Sequence, residues 1–221
     1  EMHRATARRL QETGKAYPCF CDPSVLQERR REAEKKGVAW EYDRTCLHLS
    51  VEEVRDRLAR KEGHCLRFLV PEGTTTWDDR VHGPTSFDNH TIEDFVLARS
   101  DGTPTYHLSV VSDDIAMGIT DVIRGDDHIS NTPKQILLYQ ALGERIPGFA
   151  HLPLILGPDK KRLSKRHGAV AVTEYREAGY LPEALFNFLA LLGWSPGDDR
   201  EFLPREEILR LFSFEGVGKK G

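Results

Sequence analysis

No run of apolar residues approaches the ~18–20 that a membrane-spanning helix requires, so no transmembrane segment is expected. Internal repeats and low-complexity linkers are also missing, which argues against solenoids and disordered spacers. Neither sign of charge dominates: 31 Lys and Arg against 35 Asp and Glu leave a formal net charge of −4. That balance argues against non-specific nucleic-acid binding over the whole surface, while leaving room for a local basic patch. The first residues, Glu1-Met2-His3-Arg4, lack the charged and apolar regions of a signal peptide, so a cytoplasmic location is expected. Cysteine is scarce, at four residues, and in that compartment thiols or metal ligands are expected rather than disulfides.

What is present is enough to fold. Hydrophobic residues make up 39% and aromatics 9% of 221 residues, which suits one large domain or two small ones. Both ends read as cut: Glu1 to Lys15 is a helix already under way, and Phe214 to Gly221 trails off without a closing element, so a fragment is expected. The first helix runs to about Gly14. Asp22 as N-cap with Pro23 at the first helical position opens a second, nearly all charged, from Ser24 to Lys36. Its charge run is either a solvated face or, through Arg29, Arg30, Arg31, Lys35 or Lys36, a contact for RNA phosphates. Ser50 and Glu53 form a capping box for a helix ending near Gly63. Cys65 to Val70 reads as a strand, and Trp77 to Phe87 as turn-rich with strand fragments. Asp101-Gly102 marks a hairpin between Asp94–Arg99 and Thr105–His107. Helices follow at 108–117, 131–142, 182–192 and 205–212, with a short buried strand at 120–124 and another at 152–156. Strand-helix-strand order in the second half predicts α/β architecture with parallel pairing.

Two local patterns carry chemistry. Cys19-x-Cys21 and Cys46-x-His48 are two close pairs of soft ligands, the kind that clamp zinc tetrahedrally; buried thiols beside an exposed histidine are the alternative. Cys65, in an apolar strand, reads as inert core. Farther on, 160–166 packs five cations around Leu163 and Ser164, with Gly157 and Gly168 flanking. Lysines on such a loop can neutralise a triphosphate during phosphoryl or nucleotidyl transfer; an exposed basic turn or an RNA patch is the alternative.

Arg162-Leu163-Ser164-Lys165-Arg166 resembles the KMSKS signature of class I aminoacyl-tRNA synthetases, in the K-L-S-K-R form typical of glutamyl and glutaminyl enzymes. Arg162 replaces the first lysine, which keeps the charge and changes the donor geometry. His167-Gly168-Ala169, Asp101 to Tyr106 with Val111 to Asp114, and Asp121 to His128 continuing through Gln135 are similar to segments of bacterial-type glutamyl-tRNA synthetases. So is the Cys-x-Cys, charged helix, Cys-x-His arrangement. The resemblance spans about 15–197. It implies that Lys165, Arg162 and Ser164 belong to a catalytic loop closing over ATP. Tyr106 and Arg124 would bind the substrate glutamate, Arg124 through the side-chain carboxylate. Asp127 and His128 would border the ATP ribose and adenine; family members more often carry Glu within the Asp126-Asp127 pair. Cys19, Cys21, Cys46 and His48 would hold one structural zinc ion.

The implied fold is a partial Rossmann-like class I synthetase catalytic domain with an inserted zinc-containing, acceptor-stem-binding domain. Residues 1–95 would hold the inserted domain, with part of the catalytic domain at its N-terminal edge, 96–170 the second half of the catalytic domain with the KMSKS-type loop, and 171–221 a helical stem-contact region. The implied reaction ligates L-glutamate to tRNA(Glu) through a glutamyl-adenylate, with Mg2+ accompanying ATP, in a monomer. No HIGH signature is present, so the chain by itself is expected to be inactive. Alternatives are glutamyl-Q-tRNA synthetase, a glutaminyl enzyme, and a non-catalytic zinc-stabilised RNA-binding module.

Overall fold

The structure, a computed structural model, describes residues 1–38, 40, 42–155 and 171–219. It divides into two compact units: Glu1–Thr76, Ser86–Ile119 and Asn131–Ile146 form one, and Trp77–Thr85, Thr120–Ser130 and Pro147–Gly221 the other.

The first unit opens with helix α1 (Met2–Glu12), which buries Ala7 and Leu10. Strand β1 (Ala16–Cys19) is buried along its length and lies at the edge of a three-stranded antiparallel sheet with β2 (Cys65–Phe68) and β5 (Val96–Ala98), in the order β1-β2-β5. The edge place tolerates Pro18, which has no N–H to give to a ladder. Helix α2 (Pro23–Lys35) starts as its sequence predicts, with the Asp22 carboxylate accepting from the Ser24 N–H at 2.7 Å. Helix α3 (Val51–Ala59) carries the complete Ser50–Glu53 capping box and stops short of Gly63, at Arg60.

Helices α4 (Tyr106–Met117) and α5 (Thr132–Leu142) each end in a left-handed residue, Gly118 and Gly143, where a side chain would be strained. Leu10, Leu66, Phe68, Leu97, Leu108 and Leu138 meet in one core shared by these helices and the sheet. Asp94 ties β1 to the segment after β2. It accepts from the Tyr17 hydroxyl at 2.7 Å, Arg44 Nη2 at 2.8 Å and the Val70 N–H at 2.9 Å. Burial, followed by Asp94, raises the Tyr17 pKa well above its ordinary value and keeps the phenol a donor.

The expected hairpin at Asp101-Gly102 is only partly formed. Arg99 and Thr103 close the turn and Ala98 bridges Pro104, but the chain enters α4 at Tyr106 instead of extending a strand to His107.

The second sheet has the order β4-β3-β7-β6, built from β3 (Thr74–Asp79), β4 (Gly83–Asp88), β6 (Asp121–Gly125) and β7 (Gly148–Leu152). The β3–β7 and β7–β6 pairs are parallel. A parallel pair needs a crossover connection, and α5 lies between β6 and β7 in the chain. Two expectations are corrected here. Strand β6 is not fully buried, since it is an edge strand and Ile123 is 55% exposed. Strand β7 ends at Leu152, where the sequence predicts a strand to begin; Pro153 follows, and the buried register includes the polar His151. Later in the chain, the described residues of the second unit form helices α6 (Val172–Glu177), for which no expectation was stated, α7 (Pro182–Leu191) and α8 (Arg205–Leu211). Trp194, Leu203 and Ile208 form its small core. Among the described residues, no helix is long and apolar enough to cross a membrane.

Leu138 has no exposed surface, so Leu138→Ala is expected to cost about 2–5 kcal/mol in urea unfolding of the chain. Val51, 74% exposed, serves as the contrast: Val51→Ala is expected to shift stability by about 0.5 kcal/mol or less. Equal effects would contradict the assignment of the core.

Candidate active site and metal centre

In the first unit, β1 and a 3-10 turn at Thr45–His48 bring three thiols together. The sulfurs of Cys19, Cys21 and Cys46 all lie within 4.8 Å of one another. Cys21 and Cys46 sulfurs are 3.5 Å apart, and the Phe20 N–H points at Cys46 Sγ at 3.3 Å. Tetrahedral zinc holds thiolates at about 2.3 Å each, which sets sulfurs roughly 3.8 Å apart, so this donor set fits the ion. His48 is exposed at the end of the turn and does not belong to the three-sulfur group.

The Tyr42 hydroxyl lies 3.1 Å from Cys19 Sγ and 3.6 Å from Cys21 Sγ. The Arg67 guanidinium sits 4.0 Å from the centre of the Tyr42 ring. Cys65 pairs directly across the ladder from Cys19. It is therefore more than inert core: its hydrogen bond to Cys19, with further help from Tyr42, holds the Cys19 thiol well below its ordinary pKa against the effect of burial. Burial pushes Cys21 the other way. One sulfur of the cluster is thus biased toward thiolate and a second toward thiol, as like charges confined together require.

The second unit holds the other cluster. Arg124 on β6 and His151 on β7 are direct partners in the parallel ladder, and Arg124 Nε donates to His151 Nε2 at 3.2 Å. Arg124 Nη2 reaches the His128 carbonyl at 3.4 Å, and the guanidinium lies 5.8 Å from the centre of the Phe149 ring. On the far side of His151, its Nδ1 is 2.5 Å from Asp79 Oδ2, with both side chains fully buried. Burial acts to raise the Asp79 pKa, but hydrogen bonds from the His151 ring and from the N–H groups of His82, His151 and Val81 hold it down at about 2. Burial lowers the His151 pKa and outweighs the pull of Asp79. The pair is therefore aspartate and neutral histidine.

The 3-10 turn Asp126–Asn131 follows β6. It carries Asp127 and His128, 4.0 Å apart between Oδ2 and Nε2, and Asp126, which pairs with His82 at 2.9 Å. Tyr106 belongs to the first unit; it is the first residue of α4, 48% exposed, with its ring edge-on to His107 at 5.3 Å. Arg162, Ser164 and Lys165 lie outside the described residues. Of the expected residues, the structure thus groups Cys19, Cys21 and Cys46, and sets Arg124 against the turn of Asp127 and His128. Sequence reasoning missed Asp79, His151, Tyr42 and Arg67. The one available signal for His151 is a lone imidazole inside the apolar run Phe149-Ala150-His151-Leu152.

The mixed α/β fold is also what comparison with known proteins returns. The chain matches the family of class I tRNA synthetases (E and Q), catalytic domain, over residues 1–221, and it belongs to that family. Within it, the chain is 51% identical to the glutamate–tRNA ligase of Aquifex aeolicus over 219 residues, 98% of the chain and 46% of the relative. It is 53% identical to that of Thermodesulfovibrio yellowstonii, over 99% of the chain and 46% of the relative. The fold superposes on the glutamate–tRNA synthetase of Elizabethkingia anophelis with a TM-score of 0.87 at 34% identity, covering 100% of this chain and 50% of that one. A glutamate tRNA ligase of Elizabethkingia meningosepticum, solved in complex with its amino acid, gives a TM-score of 0.85 at 35% identity, over 99% of this chain and 49% of that one. The chain spans about half the length of the curated relatives it matches.

Zinc binds thiolates, so Cys21, held protonated by burial, must release its proton to bind it. Titrating zinc into chelator-treated protein at about pH 7 is expected to release protons, with affinity rising as pH rises. Cys21→Ser is expected to weaken binding at least about tenfold. Zinc uptake without proton release, or unaffected by the substitution, would rule the centre out.

Proposed function

We propose that the protein takes part in the ATP-dependent ligation of L-glutamate to tRNA(Glu). The observation that carries this reading is Arg124, whose guanidinium stands at the carboxyl end of β6, bonded through Nε to His151. Ligands of open parallel sheets bind beyond the carboxyl ends of the strands, and a planar guanidinium suits a carboxylate bidentately. In a family that handles glutamate and glutamine, such a group favours the acid over the amide.

In the proposed reaction the α-carboxylate of glutamate attacks the α-phosphorus of ATP, the bond to pyrophosphate breaks, and glutamyl-adenylate forms. A ribose hydroxyl of the 3′-terminal adenosine of tRNA then attacks the glutamyl carbonyl and AMP leaves. No protein nucleophile is needed; the residues position and neutralise. Arg124 holds the side-chain carboxylate and Tyr106 hydrogen-bonds the amino acid. Asp127 and His128 border the ribose and adenine, and Arg162, Ser164 and Lys165 attend the pyrophosphate. Magnesium supplied with ATP screens the phosphate charge.

Cys19, Cys21 and Cys46, with His48 as fourth ligand, would hold one structural zinc ion. Its role would be to clamp β1 to the Thr45–His48 turn. In this reading residues 1–95 hold, beside part of the catalytic domain at the N-terminal edge, an inserted domain that meets the single-stranded acceptor end by shape, stacking and phosphate contact. Residues 96–170 form the second half of a Rossmann-like catalytic domain, and 171–221 a stem-contact region, in a cytoplasmic monomer.

The test is glutamate-dependent ATP–pyrophosphate exchange in a polypeptide joining this chain to the flanking segments of the Aquifex aeolicus relative, with and without tRNA. Exchange that requires tRNA supports the reading. Exchange without tRNA favours the paralogue that glutamylates a modified tRNA base, and none in either case favours a non-catalytic RNA-binding module. In the same polypeptide, Arg124→Ala is expected to raise the KM for glutamate roughly 30-fold or more while leaving that for ATP within about twofold. Equal losses would reject the role of Arg124.

A further inference from the structure

The proposed role of Arg124 depends on where its fork points, and long side chains do not aim themselves. Three neighbouring strands supply the constraint. Asp79 pairs with Phe149 across β3 and β7, and His151, two residues beyond Phe149, pairs with Arg124 across β7 and β6. Residues at partnered positions of adjacent strands share a face, and so do residues two apart in one strand. Asp79, His151 and Arg124 therefore form a row across the sheet, with Phe149 beside it. The contacts follow the row: Asp79 Oδ2 to His151 Nδ1 at 2.5 Å, then His151 Nε2 to Arg124 Nε at 3.2 Å. Phe149 stacks on the His151 ring with an interplanar angle of 10°, and the guanidinium lies 5.8 Å from its centre.

We propose that Asp79 and His151 are positioning residues for Arg124: the buried carboxylate fixes His151 in its Nδ1–H tautomer, so that Nε2 accepts the Arg124 Nε–H. A neutral imidazole has one donor and one acceptor nitrogen. The nitrogen facing an ionised carboxylate must be the donor, since two acceptors at 2.5 Å would repel. The other nitrogen then offers its lone pair, which is what the Arg124 Nε–H requires. Asp79 is itself fixed, because its Oδ1 accepts from the N–H groups of Val81, His82 and His151 at 3.1–3.2 Å. Of the other charged groups near the row, Asp126 is engaged by His82 at 2.9 Å.

The consequence is geometric. A carboxylate can meet an arginine along its Nε–Nη2 side or at its Nη1–Nη2 end. With His151 on Nε, the Nε–Nη2 side is occupied, and that bond together with the one from Nη2 to the His128 carbonyl at 3.4 Å fixes the direction of the guanidinium. This inference rests on the glutamate reading only for its kinetic consequence; the tautomer stands independently of it.

Asp79→Asn keeps the shape and reverses the polarity. The new amide can donate to His151 Nδ1, which drives the ring to its Nε2–H tautomer and sets two donors against each other at Arg124. Nitrogen-15 NMR of the chain at about pH 7 is expected to show His151 as Nδ1–H in the parent and Nε2–H in Asp79→Asn, with the exchange-protected Arg124 Nε–H signal lost. In the polypeptide completed with a relative's flanking segments, the same substitution is expected to raise the KM for glutamate about tenfold, the scale of one lost hydrogen bond to a charged group. The KM for ATP is expected to hold within about twofold, whereas general loosening would move both. Should Asp79→Asn not fold, His151→Asn serves, since its amide keeps an N–H toward Asp79 but puts no acceptor at Nε2; the same split in KM is expected. An Nε2–H ring in the parent, or a parallel rise in both KM values, would overturn the inference. Failure of Arg124→Ala to affect glutamate, with the NMR result intact, would overturn only the glutamate reading.

Discussion

The carboxylate of Asp79 has no exposed surface, and a buried charge persists only when donors surround it. The donors here are backbone N–H groups of Val81, His82 and His151, the ring of His151, and the Trp77 indole N–H at 3.3 Å. Meeting that requirement fastens the end of β3 to β7 and to the turn after Asp79. It also leaves the His151 ring neutral, with the nitrogen away from Asp79 facing β6. Arg124 is then placed by a residue that is itself placed, and a flexible side chain becomes a fixed feature of the sheet. A site that must recognise a planar anion benefits from such support, because the cost of ordering the guanidinium is met in folding and not at binding.

The first unit solves a related problem with sulfur. Cys19, Cys21 and Cys46 are held within 4.8 Å, close enough that their charges compete. Cys65 and Tyr42 act to lower the pKa of Cys19, while burial acts to raise that of Cys21. A divalent cation would remove the competition by neutralising several thiolates together. The two clusters therefore differ in kind: the Asp79 row is satisfied by the protein's own donors, whereas the thiol cluster is of the sort that a metal completes.

Much of this was legible in the sequence where local chemistry decides structure. The Asp22 cap and the Ser50–Glu53 box follow from side chains acting on neighbouring backbone, and the helices expected over 108–117 and 131–142 are found as Tyr106–Met117 and Thr132–Leu142, each stopped by a left-handed glycine. The proximity of Cys19-x-Cys21 to Cys46 was also foreseeable from ligand spacing. Strand β7 was not, because His151 breaks the apolar pattern of a buried strand and its partner Asp79 is 72 residues away. A polar residue in such a place is explained only by a second polar residue that the chain brings to it. The expected strand up to His107 failed for the opposite reason: the turn at Asp101-Gly102 was recognised, but α4 takes over at Tyr106. The basic segment around Arg162, Ser164 and Lys165, the strongest sequence motif, lies outside the described residues.

On the proposed reading, Arg124 meets a substrate carboxylate in a family named for glutamate and glutamine. The decisive quantity is the ratio of kcat/KM for glutamate to that for glutamine, in the chain completed with a relative's flanking segments. A preference for glutamate of roughly a thousandfold or more is expected, as for a site built around one charged partner. Parity between the two amino acids, or a preference for glutamine, would contradict it.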